Sequence, residues 1–205
     1  MREPQNIADL LSLDIDYLGF IFYEKSPRHI NSSDISHLPN FGEVKKVGVF
    51  VNHSIEFVLE KIHHFGLDLV QLHGEESVIF CRELQKIIHA NKRSEQIKII
   101  KVFSVGSAFD FDQLAPYKSV VDYFLFDTKG KNLGGNGVTF DWELLKNYDN
   151  AIPFFLSGGI DMEHIPQIKA LRHLNIHALD INSKFELSAG LKDVAKIERF
   201  VANLG

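Results

Sequence analysis

Seven short apolar runs recur along the 205 residues at a nearly constant interval, and segments of helical or turn character separate them. They begin at Tyr17 (YLGFIF), Val47 (VGVFV), Asp68 (DLVQL), Ile97 (IKIIKVF), Tyr123 (YFLF), Pro153 (PFFL) and Ala178 (ALDI). From residue 17 to residue 178 the six intervals average about 27 residues, the length of one strand plus one crossover helix. Several runs are apolar at consecutive rather than alternate positions, as strands buried on both faces of a parallel sheet are. Between them, Ile55, Val58, Leu59 and Ile62 follow the i, i+3, i+4, i+7 spacing of an amphipathic helix. Phe80, Leu84, Ile87 and Ile88 form a similar stripe, and Val194, Ile197, Val201 and Leu204 close the chain as a last one. Ser54 and Thr139 are N-cap types ahead of helical stretches, and Pro4 suits a first helical turn.

This rhythm leaves two architectures, an open doubly wound sheet and a closed barrel. The glycine-rich dinucleotide turn of the open type is absent after the first run. Eight units of about 25 residues fill the low end of the barrel size range. The expected fold is therefore α/β, a (β/α)8 TIM barrel made by one domain over residues 1–205. Seven strands are visible, and a helix opens near Pro4. The strand that would precede that helix is thus expected upstream of Met1 and missing from this chain.

Composition removes several function classes. Twenty-two basic against 27 acidic residues give a formal charge of −5, so the basic face needed to hold nucleic acid is not expected. No apolar run approaches the roughly 20 residues that span a bilayer, and MREPQNIADLL lacks a signal-peptide layout. The single cysteine, Cys81, allows neither an internal disulfide nor a cysteine-rich zinc site. A cytoplasmic, reducing setting is expected. Cys81 sits mid-helix in VIFCREL, which suits a packed thiol better than a nucleophile. His63 and His64 are adjacent on a helix, diverge, and read as surface residues; no metal is expected.

In a barrel of this kind chemistry collects at the C-terminal ends of the strands. Asp127 closes the run Tyr123–Phe126, where lost hydration would favour a protonated carboxyl able to act as a general acid. Capping a loop or pairing with Lys129 are the plainer alternatives. Ser157-Gly158-Gly159 precedes a helical stretch from about Met162 to Leu171, and free backbone N–H groups there suit a phosphate. Asn182 and Ser183, after the next strand, would complete the same pocket, unless both segments are ordinary turns. Arg28 is placed to hold a carboxylate or to remain a solvated loop residue. His73 is placed to bind ligand or to buttress its loop. Gly134-Gly135-Asn136-Gly137 reads as a mobile active-site cover or as a long connection.

The segments DYLGFIFYEKSPR, VGVFVN, LVQLHGEE, FLFDTKGKNLGGNGVTFDW, FFLSGGI and LDINSKFE, in this order, resemble the phosphoribosylanthranilate isomerase family of tryptophan biosynthesis over nearly the whole chain. The resemblance implies an Amadori rearrangement of N-(5-phosphoribosyl)anthranilate without metal or organic cofactor. A general acid opens the ribose ring to a Schiff base, and a general base removes the C2′ proton. It also implies Asp127 as the acid, Arg28 as the anthranilate-carboxylate ligand, and Gly158, Gly159, Asn182 and Ser183 around the phosphate; His73, by its strand-end position alone, is a candidate substrate-binding residue beside them. The partner is then a small phosphorylated substrate, with no nucleic acid or membrane, and the protein a monomer or homodimer.

Two departures stand out. Where the family usually has glycine after the serine of the last phosphate loop, this chain has Lys184. Family members also carry a Lys-Ile-Cys-Gly strand directly before a segment like Met1-Arg2-Glu3-Pro4, and its cysteine is the general base. That strand is not among the 205 residues, so the chain as given is expected to be inactive or impaired. The competing readings are a non-catalytic barrel that binds phosphoribosyl ligands and another phosphosugar isomerase barrel. The DTKG…GGNGVTFDW segment argues against the latter.

Overall fold

The computed structural model describes residues 1–30, 38–90, 96–128 and 141–205. The predicted Thr139 cap, the Gly134–Gly137 cover and the Lys129 pairing lie outside them. Helix α1 (Pro4–Leu10) starts on the proline as expected and leads into β1 (Tyr17–Ile21). The chain then runs through β2 (Lys45–Phe50), α2 (Ile55–Phe65), β3 (Leu69–Leu72), α3 (Val78–Ala90), β4 (Lys98–Val105) and β5 (Tyr123–Thr128). It continues as β6 (Phe154–Leu156), α4 (Ile165–Ala170), β7 (Ile176–Leu179), a hairpin of β8 (Glu186–Ser188) and β9 (Leu191–Lys192), and α5 (Val194–Leu204).

Strands β1 to β7 pair in sequence order, every pair parallel, and curl into an open barrel. All seven predicted strands form. Burial explains them: every residue of β3 and β6 is buried, so one face packs on helices and the other on the barrel interior. The interior core is Val47, Leu69, Ile100, Val102, Leu125 and Phe155, with Tyr17, Tyr123 and Ala178 against it. The helices pack outside the sheet around a larger cluster that includes Phe20, Phe50, Phe124 and Phe154.

Side chains of a strand alternate between faces, so each inward column climbs two residues at a time. On β5 the column is Tyr123, Leu125, Asp127; on β3 and its exit it is Leu69, Gln71, His73; on β6 and its exit it is Phe155, Ser157. Register keeps the levels aligned, with Ser104 of β4 opposite Asp127. The barrel is therefore apolar at its base and polar at its C-terminal rim.

Where helices were expected, three segments differ. The stretch after β4 is a 3-10 turn, Phe111–Tyr117, that contains Pro116, which has no N–H to carry an α-helical ladder. The stretch before β6 is a 3-10 turn, Trp142–Asn147. The predicted Met162–Leu171 helix is a 3-10 turn, Met162–His164, followed by the six-residue α4, because Pro166 restarts the helix near its N-terminus. On α3, Ile87 is 44% exposed, since Cys81, Leu84 and Ile88 already fill the inner face. The Ser54 cap on α2 forms, its hydroxyl accepting from the Phe57 N–H at 3.3 Å. His63 and His64 are exposed, as expected.

Among the described residues no strand pairs with the outer edges of β1 and β7. At the base of this seam the Tyr17 hydroxyl meets His177 Nε2 at 2.7 Å. On the flank, Asn6 exchanges two hydrogen bonds with the Lys192 backbone, at 2.9 and 2.8 Å, and ties α1 to the β8–β9 hairpin. Among the described residues no helix is long and apolar enough to cross a membrane.

Candidate active site

One cavity opens at the C-terminal rim and continues down the seam between β1 and β7. Arg28, His73 and Asp127 line it, together with the Gly158-Gly159 and Asn182-Ser183 loops. Residues read from five different strand ends thus meet in one space.

Asp127 is 6% exposed, and its Oδ1 accepts the Thr128 N–H at 2.8 Å. Its Oδ2 lies 3.6 Å from His73 Nε2, within ion-pair reach but too far for a direct hydrogen bond. The Gln71 amide nitrogen lies 3.1 Å from His73 Nδ1. An amide nitrogen only donates, so with Gln71 in this orientation Nδ1 accepts and the neutral ring carries its proton on Nε2, toward Asp127. The His73 loop is held from below: the buried Lys101 ammonium donates to the Leu72 and Gly74 carbonyls at 3.2 and 2.7 Å and to Glu76 Oε2 at 3.2 Å. Glu76 Oε1 in turn accepts the Asn52 N–H at 2.8 Å.

A second carboxyl reaches the same rim, and sequence reasoning missed it. Asp180 follows β7, its N–H bonded to the Leu156 carbonyl at 2.8 Å and its Oδ2 3.4 Å from the Ser157 hydroxyl. Burial pushes its carboxyl above the ordinary range, and the Asp127 charge adds to the rise against the pull of Lys192, His73 and Ser157. The apolar run ALDI predicts strand up to Ile181, but β7 ends at Leu179, which turns Asp180 onto the rim. An aspartate closing an apolar strand is the signal that had picked out Asp127.

Arg28 grips a carboxylate of the protein's own, that of Glu186. Its Nε lies 3.0 and 2.9 Å from the two Glu186 oxygens, and its Nη2 2.7 Å from Oε2. Glu186 also takes Lys192 Nζ at 3.3 Å and the Gly190 N–H at 3.1 Å. Burial opposes ionisation of Glu186, yet the Arg28 hydrogen bonds, the Lys192 charge and the Gly190 N–H hold its carboxyl below the usual 4.5. The guanidinium is thereby fixed through its Nε–Nη2 edge, and a planar fork held on one edge presents the Nη1–Nη2 edge to a second carboxylate.

A group whose folded pKa lies below its unfolded value contributes stability above the unfolded pKa and loses it as pH falls through the folded one. Glu186→Gln should therefore cost about 1.5–3 kcal/mol at pH 7 and flatten the fall of the thermal midpoint below about pH 4.5. Parallel midpoint-against-pH curves for the two proteins would refute this account of the pair.

The glycine loop is shaped for close approach. Gly158 has φ +92°, and a Cβ there would lie 2.2 Å from Thr128 Oγ1; Gly159 has φ +66°. The following helical turn is not the free N–H array expected from the sequence. Asp161 caps it, accepting the Met162 N–H at 2.8 Å, while His164 Nδ1 takes the Asp161 N–H at 3.0 Å. Across from the glycine loop, Ser183 opens a 3-10 turn (Ser183–Phe185), and the Asn182 side-chain oxygen is occupied by Lys192 Nζ at 2.7 Å. Cys81 is buried on α3, its thiol pushed up to about 11 by burial, and it does not line the cavity.

Strand-end carboxyls, a glycine loop facing a polar turn and a pinned arginine in one parallel barrel define an enzyme class: barrels that act on small anionic substrates. Residues 1–203 match the family model described as N-(5'phosphoribosyl)anthranilate (PRA) isomerase, and the chain belongs to that family. An N-(5'-phosphoribosyl)anthranilate isomerase of Parabacteroides distasonis is 42% identical over 207 residues, covering 100% of this chain and 90% of that protein. A Thermotoga maritima phosphoribosylanthranilate isomerase, described as dimeric and solved as generated monomers, superposes with a TM-score of 0.78 at 31% identity, over 100% of this chain and 94% of the other. A phosphoribosylanthranilate isomerase in complex with reduced 1-(o-carboxyphenylamino)-1-deoxyribulose 5-phosphate superposes with a TM-score of 0.78 at 30% identity, again over 100% and 94%.

Proposed function

We propose that this cavity performs the Amadori rearrangement of N-(5-phosphoribosyl)anthranilate to 1-(2-carboxyphenylamino)-1-deoxyribulose 5-phosphate, a step of tryptophan biosynthesis. The observation that carries this reading is the position of Asp127 in one cavity with an anion loop and the pinned Arg28. The substrate has the same layout: a phosphate at one end, a benzoate carboxylate at the other, and the reacting ribose between them.

In this reading the Gly158-Gly159 backbone and the Asn182-Ser183 turn take the phosphate, and the Nη1–Nη2 edge of Arg28 takes the anthranilate carboxylate. Asp127 donates its proton to the ribose ring oxygen, the C1′–O bond breaks, and the anthranilate nitrogen supplies the electron pair that makes the Schiff base. A base then removes the C2′ proton, and the enol so formed becomes the aminoketone. Protons pass from Asp127 to the ring oxygen and from C2′ to the base, and the electron pairs shift within the substrate with no external oxidant or reductant, so the scheme calls for no metal or organic cofactor. As Asp127 becomes a carboxylate, the His73 Nε2–H faces it, and burial disfavours a second negative charge on the neighbouring Asp180. The base implied by the resemblance is a strand cysteine, a role Cys81 does not fill. The reading assigns the protein to the cytoplasm as one domain, acting as a monomer or homodimer. The single buried thiol supports the reducing setting.

Gly159→Asp should test the phosphate end. Its carboxylate adds bulk and like charge in the loop, so calorimetry with the reduced product analogue should show affinity falling about tenfold or more, equivalent to ~1.4 kcal/mol. Unchanged affinity would sink the assignment of this loop.

A further inference from the structure

Three lysines surround the two anion loops, and their partners differ. Lys192 Nζ is spent on Asn182 and Glu186. Lys196 Nζ bridges the loops, pairing with Asp161 Oδ1 at 2.7 Å and donating to the Lys184 carbonyl at 2.7 Å. Lys184 lines the cavity beside Ser183, and its side chain is exposed. Among the described residues its ammonium makes no hydrogen bond or ion pair. Its backbone, by contrast, is fixed on both sides. Lys196 holds the carbonyl, and the next residue, Phe185, is fully buried against Phe200 at 4.9 Å between ring centroids.

We infer that Lys184 is a ligand of the substrate phosphate, its ammonium closing over the anion held between the Gly158-Gly159 loop and Ser183. The inference rests on the phosphate assignment proposed above. Charge balance around the loop favours it. Asp161, two residues beyond Gly159, would repel a phosphate dianion, but it is neutralised by Lys196 and capped into its own turn. Lys184 therefore adds an exposed positive charge with no hydrogen bond or ion pair among the described residues at this end of the cavity. The held backbone at Lys184 lowers the entropy lost when the ammonium engages a ligand. Glycine at this position, as in the family pattern, would leave the phosphate to backbone groups and the serine.

The test uses two probes, the reduced rearranged product analogue with and without its 5-phosphate, and three variants, Lys184→Gly, Lys184→Gln and Lys184→Arg. Calorimetry at low and high salt should show about tenfold weaker binding of the phosphorylated probe by the Gly and Gln variants. The gap should narrow as salt rises, because an exposed ion pair is screened. Lys184→Arg should restore most of the affinity, and the dephosphorylated probe should bind all four proteins alike. Equal binding of the phosphorylated probe by wild type and Lys184→Gly would overturn the inference while leaving the loop assignment standing. Equal weakening of both probes would also overturn it, since Lys184 would then be acting on the fold. If wild type gains nothing from the phosphate at all, the loop assignment falls with it.

Discussion

Joining a strand that carries Lys-Ile-Cys-Gly ahead of Met1 is expected to raise turnover of N-(5-phosphoribosyl)anthranilate by about 10²–10⁴-fold over the 205-residue polypeptide, the usual contribution of a positioned general base. The expectation rests on what the 205 residues supply. Their single thiol is buried on α3, is pushed up to about 11, and does not line the cavity. Among the described residues no strand fills the seam between β1 and β7, along which the cavity runs. A strand in that seam would pair two sheet edges and bring its cysteine to the rim, so the thermal midpoint should rise as well. The measurement is loss of substrate fluorescence alongside thermal unfolding, with a Cys→Ala version of the added strand as control. Equal turnover from the short polypeptide would mean that another group is the base, and the binding-only reading would fall with it. An added strand whose Cys→Ala version works as well would limit its role to folding.

Asp127→Asn, made in the protein that carries the added strand, should lower turnover by about 10²–10⁴-fold with a modest change in KM. Asparagine keeps the size of the side chain but has no acidic proton to give the ring oxygen. The amide oxygen can accept the Thr128 N–H as Oδ1 does, and the amide NH2 replaces only the 3.6 Å His73 contact, which is too long for a hydrogen bond, so the fold should survive. A turnover within a few-fold of wild type would remove Asp127 from the acid role.

Much of this molecule was legible in its sequence because strands buried on both faces leave a strong local signal. YLGFIF, YFLF and PFFL are apolar at consecutive positions, and β1, β5 and β6 begin at or next to the predicted residues. The rim was legible for the same reason: a polar residue that ends such a run, as Asp127 does, projects from the barrel mouth. What was hidden depends on tertiary contacts between distant residues. Nothing near Arg28 announces that Glu186, 158 residues away, will grip one edge of its guanidinium. Asp180 was hidden inside the run ALDI, because β7 ends at Leu179, two residues short of the run's last residue, Ile181. The free N–H array expected after Gly159 does not form, because Asp161 ahead of the turn consumes the Met162 N–H that would otherwise meet an anion.

The most direct measurement is a crystal structure of the protein with the reduced 1-(o-carboxyphenylamino)-1-deoxyribulose 5-phosphate bound. The account predicts the phosphate between Gly158-Gly159 and Ser183 with the Lys184 ammonium over it, and the benzoate carboxylate on the Nη1–Nη2 edge of Arg28. The oxygen derived from the ribose ring should then lie within hydrogen-bond reach of Asp127, about 2.6–3.2 Å. A phosphate bound away from both loops, or a ligand whose ring-derived oxygen points away from Asp127, would contradict it.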